Sequence, residues 1–356
     1  MGSNMIKNNL FSFATSELSQ DAFICYLVSF ALEDSIVHPV LNTCARNMLH
    51  LFVPEISAEN ITLVKIEQQF NLEKIGRIDI LLTAYSDNGK YKIIVEDKTF
   101  TNEHDNQLDK YKDGISDAFP GYEVRGVFYK TGFQSNLEVA EKAGYNIITR
   151  EKILNFLEPF ITKTNNQIII DYYNYWKDFQ DDVDLFSVKP IQDWNWKQIY
   201  GYFNYLKQSL NLINDNYWKG YDYVANVAGG FYGFWFGKNE GHVTISNTIF
   251  EIYLQLEAVP WEKTTDLKIC LKLSCESDPK QKDVRDARNK LLYEDDWRYR
   301  VNKYQFLKPR RVVGAKHMTI GIFDRKYADL RELGLAIQEA LKEYERLLDD
   351  LRGIDG

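Results

Sequence analysis

Asp79, Glu96 and Lys98 are the side chains best able to do chemistry, and all three fall in one segment, GRIDILLTAYSDNGKYKIIVEDK, Gly76 to Lys98. Asn88-Gly89 in its middle is a strong hairpin signal, because both residues tolerate positive φ. With those two residues as the turn, Asp87 faces Lys90, Asp79 faces Lys98 and Leu81 faces Glu96. Opposed residues share a sheet face, and so do residues two apart on one strand. Asp79, Glu96 and Lys98 are therefore expected on one side and Asp97 on the other. A turn one residue longer or shorter would move Asp79 to the opposite face, so the expectation rests on that register.

The runs around these charges, Ile78-Asp79-Ile80-Leu81-Leu82 and Ile93-Ile94-Val95, mark central buried strands, where a charge needs a partner. A salt bridge of Lys98 with Asp79 or Glu96 is one solution, although such bridges normally sit at a strand end or sheet edge. Carboxylates with no nearby His or Cys also suit a hard cation, Mg²⁺ or Mn²⁺. A lysine beside such an ion can orient a water or stabilise charge building on a phosphate. Spacing alone leaves both solutions open.

The elements that position these residues alternate. Ser16 to Leu32 has helical spacing of Leu18, Phe23, Ile24, Leu27, Val28 and Ala31. Strands are expected over 60–69, 77–85, 91–98, 122–129 and 145–149. Helices are expected over 102–117, 137–143, 151–161 and 167–179. Strands separated by helices predict a mixed α/β sheet with helices on its faces. The stretch DDVDLFSVKP, Asp181 to Pro190, breaks the pattern, and the domains are read as 5–185 and 186–356. Beyond it an aromatic helix, 194–210, precedes strands over 221–236, 242–257, 267–274, 300–307 and 316–323. A long helix follows over 327–351, with Leu330, Leu333, Ile337, Leu341, Tyr344 and Leu348 on one stripe. Packing of that stripe on the sheet is preferred to a coiled-coil seam. The second domain is thus read as α+β with an antiparallel sheet.

Three short motifs in order, Gly76-Arg77-Ile78-Asp79-Ile80-Leu81, Ile94-Val95-Glu96-Asp97-Lys98 and Gln107-Leu108-Asp109-Lys110-Tyr111, resemble a branch of the PD-(D/E)XK nuclease superfamily. That branch carries a GRID strand, an (I/V)ExK strand and a helix with QxxxY. The 16 residues between Asp79 and Glu96 also fit. The resemblance covers about residues 10–160 and implies a restriction-endonuclease-like core. By it, Asp79 and Glu96 would bind Mg²⁺ or Mn²⁺, the backbone carbonyl of Asp97 would be a further ligand, and Lys98 would position the attacking water. A first-helix glutamate of the branch falls on Glu17, with Gln20 and Asp21 close enough for the assignment to slip by a turn. Glu17 also suits the helix macrodipole without any metal. Gln107 and Tyr111, four apart on one helical face, would lie beside the active site, although an amphipathic helix explains them too. Ile78 stands where the superfamily's proline would be. Arg77 is left open between a phosphate and an acid.

Other chemistries find no support. The five histidines show no HxxxH or HxH spacing, no glycine-rich loop is followed by Lys-Ser/Thr, and no GxSxG elbow is present. Four scattered cysteines make neither a disulfide scaffold nor a zinc site. The longest apolar run, Ala22 to Leu32, is 11 residues, short of a membrane span. No charged segment followed by an apolar stretch opens the chain, so a cytoplasmic location is expected. The 356 residues carry a net charge of −8. Residues 1–185 hold 17 basic against 27 acidic groups, residues 186–356 hold 26 against 24, and the densest basic cluster is Lys308-Pro309-Arg310-Arg311 with Lys316. The second half is rich in Trp, Tyr and Phe, which are assigned mainly to core packing, with a base-stacking platform as the alternative.

These observations predict a metal-dependent nuclease acting on DNA, in a setting of microbial defence by family association. Residues 186–356 are expected to select substrate or mediate assembly, with a second copy or a partner protein. The alternatives are a non-cutting nucleic-acid-binding or protein-interaction module on the same core, and structural ion pairs in a coincidental α/β fold.

Overall fold

The computed structural model describes residues 8–32, 36–87, 89–99, 106–209, 214–226, 229–245, 248–260, 264–275, 282–293, 300–310 and 315–353. Asn88, residues 102–105 of the expected helix (His104 among them) and Arg311 lie outside them. The chain divides into two units, Met1–Asp181 and Asp182–Gly356.

The first unit is built on a five-stranded sheet in the order β1-β2-β3-β4-β5. Its strands are β1 (Thr62–Leu72), β2 (Gly76–Ser86), β3 (Gly89–Lys98), β4 (Glu123–Lys130) and β5 (Tyr145–Thr149). β1, β2 and β3 are antiparallel, and β3, β4 and β5 are parallel. Parallel neighbours need a crossover, which α3 (Gln107–Ala118) and α4 (Glu138–Lys142) supply. α1 (Glu17–Ser29), α2 (Pro39–Phe52), α5 (Arg150–Ile161) and α6 (Gln167–Asp184) complete the unit. The mixed α/β reading is correct. α2 was not anticipated, although its buried Leu41, Cys44, Ala45, Met48, Leu49 and Phe52 follow helical spacing behind Pro39 in the first turn.

One expectation is corrected. Ser86 pairs with Gly89 and Ile80 with Val95, so the pairing of β2 with β3 is offset by two residues from that of an Asn88-Gly89 turn. Asp and Asn serve in tight turns as well as Asn and Gly, so a turn over 87 and 88 is equally accessible. An even offset leaves every side chain on its expected face.

The second unit carries a seven-stranded antiparallel sheet, β11-β12-β10-β9-β7-β6, with β8 also paired to β9. Its strands are β6 (Tyr217–Val224), β7 (Phe231–Lys238), β8 (His242–Ile245), β9 (Thr248–Pro260), β10 (Thr265–Ser274), β11 (Phe306–Leu307) and β12 (His317–Phe323). The single strands expected over 221–236 and 242–257 are each two strands, β6 ending at Val224 before β7 begins at Phe231 and β8 at Ile245 before β9 begins at Thr248. Half of 300–307 is a 3-10 turn, Val301–Tyr304, and only Phe306–Leu307 is strand. The helices are α7 (Trp196–Gln208), the unanticipated α8 (Lys282–Leu292) and α9 (Leu330–Arg352). The α9 stripe packs on the sheet: the Tyr344 hydroxyl donates to the Ile252 carbonyl at 2.8 Å and accepts the Lys238 N–H at 3.0 Å.

Candidate active site

β2 and β3 bring the three charged residues together at their far end. The ladder between them stops at Ile80↔Val95. Beyond it the Asp97 N–H donates instead to Asp79 Oδ2 at 3.0 Å. Asp79 thus replaces a main-chain partner, and its carboxylate is held beside Lys98. The Lys98 ammonium is 2.7 Å from Glu96 Oε1, 3.6 Å from Asp79 Oδ2 and 3.2 Å from the Asp97 carbonyl oxygen.

α3 closes one side. Gln107 Nε2 donates to Glu96 Oε1 at 3.1 Å and to the Tyr111 hydroxyl at 2.8 Å, and that hydroxyl donates to the Arg77 carbonyl at 2.8 Å. Gly76 makes the approach possible: at φ 155°, a Cβ there would meet the Tyr111 hydroxyl at 3.1 Å. Arg77 itself is exposed and contributes its carbonyl.

α1 closes the other side with three polar residues. Glu17 Oε1 accepts the Thr99 N–H at 2.9 Å. Gln20 donates to Asp97 Oδ1 through a short hydrogen bond and to Thr99 Oγ1 at 3.3 Å. Its Oε1 accepts the Thr131 and Tyr172 hydroxyls, each at 3.0 Å. Asp21 is joined to the site by Gln69, whose amide lies 3.0 Å from Asp21 Oδ2 and 3.5 Å from Asp79 Oδ1. Gln69 is held at φ 53° inside β1, an uncommon conformation for a non-glycine residue. Sequence spacing placed Gln20 and Asp21 near Glu17. It held no signal for Gln69, Thr131 or Tyr172, which reach the site only through tertiary packing.

The electrostatics follow from burial and crowding. Burial, with the Asp79 charge nearby, pushes Glu96 up to about 7. The same two causes in the same order push Asp21 up to about 7. Full burial, reinforced by Asp21, raises Asp97, on the sheet face opposite Glu96, well above its ordinary value. Burial alone would depress Lys98, but Glu96, Asp79 and Glu17 hold it above its ordinary value.

Four buried oxygens of the site, Glu96 Oε2, Asp21 Oδ1, Asp97 Oδ2 and Gln107 Oε1, have no hydrogen-bond partner among the described residues. Orphaned carboxylate oxygens next to the half-buried Asp79 suit a hard cation. Among the described residues no three His, Cys, Asp or Glu side chains are grouped tightly enough to cage a metal. Mg²⁺ does not require such a cage, since it takes one or two protein carboxylates and completes its shell with water and phosphate. The donors present, Asp79, Glu96 and the Asp97 carbonyl, therefore fit a divalent ion of that kind.

The class defined by this fold and site agrees with the comparison to known families. Residues 8–177 match the family model of the PD-(D/E)XK nuclease superfamily. Over that segment the chain is similar to a superfamily whose members generally use divalent metal ions on nucleic acid. No curated protein and no solved structure matches the chain significantly. Among the described residues no helix is long and apolar enough to cross a membrane.

Proposed function

We propose that the first unit is a divalent-metal-dependent nuclease that hydrolyses phosphodiester bonds in DNA, acting in cytoplasmic defence against foreign DNA. The observation that carries the reading is the Lys98 ammonium at 2.7 Å from Glu96 and 3.6 Å from Asp79, with Glu96 Oε2 buried and unpartnered. In this reading Asp79, Glu96 and the Asp97 carbonyl hold Mg²⁺ or Mn²⁺, with Glu17 at the edge of the set. The bound ion would supply a Lewis acid that activates a water and offsets charge on phosphorus.

The chain's own residues do the rest. Lys98 holds a proton at Nζ and directs it at the attacking water or the phosphate oxygens. Gln107 fixes the Glu96 carboxylate, and Tyr111 pins α3 to the start of β2. Gln20 and Asp97 hold the end of β3 from the other face. Residues 186–356 would select substrate or mediate assembly with a second copy or a partner protein.

A second reading, a binding module that retains the site without cutting, is favoured by the lack of a three-acid cage among the described residues. One assay separates the two. Supercoiled plasmid and linear single- and double-stranded DNA are incubated with the protein in Mg²⁺, Mn²⁺ or EDTA, beside Lys98→Met and Glu96→Gln. The nuclease reading expects cleavage that needs the metal and falls at least about a hundred-fold in either variant. Cleavage that persists in EDTA or in both variants would sink it, and DNA binding without cleavage in every condition would favour the second reading.

A further inference from the structure

One face of the second unit's sheet is built differently from the rest. On the opposite face Phe234, Phe236, Leu254 and Leu256 are buried, and Phe234 packs on Phe203 of α7. On this face each of two tryptophans lies across from a glycine: Trp218 pairs with Gly237 and Gly220 with Trp235. A Cβ on Gly237 would meet the Trp218 ring at 2.9 Å, and one on Gly220 would meet Trp235 Nε1 at 2.6 Å. The two indoles therefore lie down on the sheet over positions that only glycine leaves open. With Tyr253, whose ring is 5.4 Å from that of Trp218, they line a cavity of about 620 Å³. That volume lies within the range of small-ligand sites.

The polar groups in this cavity narrow the ligand. Trp218 Nε1 is a buried donor with no hydrogen-bond partner among the described residues, so an acceptor is called for. Gln255, almost wholly buried, presents an amide beside Trp235 on the adjoining strand. Lys272 is buried in the wall and bonded to Glu257 and Thr319, and Lys316 stands exposed at the rim. Glu251 also lines the cavity, so charge alone does not turn away a quaternary ammonium, but such a cation has no acceptor to offer Trp218. A planar ring with acceptor edges and an attached anion answers Trp218, Gln255 and Lys316 together.

We propose that this cavity binds a nucleotide, its base stacked on the Trp218–Trp235 platform and its phosphate toward Lys316. The proposal is independent of catalysis in the first unit. The nucleotide can be free in solution or part of a single strand. The test is calorimetric titration of the full-length protein in EDTA with nucleoside 5′-monophosphates and their parent nucleosides, with a short single-stranded oligonucleotide and with choline. Wild type, Trp235→Ala, Trp235→Phe and Lys316→Ala are compared, with thermal melts reporting folding.

Saturable binding of monophosphates, weakened at least about five-fold by Trp235→Ala and largely kept by Trp235→Phe, supports a free-nucleotide site. The same pattern with the oligonucleotide alone supports a strand-bound nucleotide. Lys316→Ala is expected to weaken the phosphorylated ligand more than the parent nucleoside. Absence of saturable binding by either ligand, binding unchanged in Trp235→Ala that melts like wild type, or tighter binding of choline overturns the proposal.

Discussion

Glu96 has two unlike oxygens: Oε1 takes the Lys98 ammonium and the Gln107 amide, while Oε2 is buried without a partner. Glu96 and Asp21 both have folded pKa values raised from the carboxylate range to about 7. Between those limits the folded state binds more protons than the unfolded one, so stability falls as pH rises. The contribution is fully present below the ordinary carboxylate pKa and is lost as pH passes about 7. Thermal melts in EDTA should give a higher Tm near pH 5 than near pH 8 from these groups, and Glu96→Gln should flatten that slope. Adding Mg²⁺ should raise Tm more at pH 8 than at pH 5.5, because protons compete for the same oxygens. At this scale the sequence was readable where residue types were unusual for their strands: Asp79, Glu96 and Lys98 interrupt apolar runs. Gln69 and Tyr172 interrupt nothing in the sequence, and their part arises from strand pairing and helix packing that no local pattern records.

The elements meet the site through a few close approaches. Gly76 lets the Tyr111 ring sit against the start of β2, at a backbone conformation that side chains rarely adopt. Gly76→Ala should lower stability in urea melts by about 1–3 kcal/mol and weaken cleavage by shifting α3. Tyr111→Phe, which loses only the hydroxyl's bonds, should cost about 1 kcal/mol. In the second unit Tyr344→Phe should cost about 1–3 kcal/mol, since it leaves the Lys238 N–H and the Ile252 carbonyl without that partner. Elements with strong periodicity, such as α1, β2, β3 and α9, were legible. α8 was not, because KDVRDARNKLL buries only Val284, Ala287, Leu291 and Leu292 amid charged residues. The hairpins β6–β7 and β8–β9 were merged into single strands, although Gly229-Gly230 between β6 and β7 is a turn signal.

The charges of the whole molecule are unevenly shared: 17 basic against 27 acidic groups over residues 1–185, and 26 against 24 over 186–356. An acidic first unit would repel a polyanion, so under the proposed function the grip on DNA is expected to come from the second half or from bound metal. Fluorescence anisotropy in EDTA should show residues 8–184 alone binding DNA at least about ten-fold more weakly than the full chain, and Mg²⁺ should narrow the gap. Equal affinities would place the grip in the first unit. The role of the second half was not readable from its sequence, because a Trp that packs and a Trp that lies open over a glycine look alike until strands are paired. The way Asp79 ends the β2–β3 ladder also bears on descent. Its carboxylate stands in for a missing main-chain acceptor at Asp97, so selection for folding alone would keep Asp79 in a descendant that had lost the proposed cleavage.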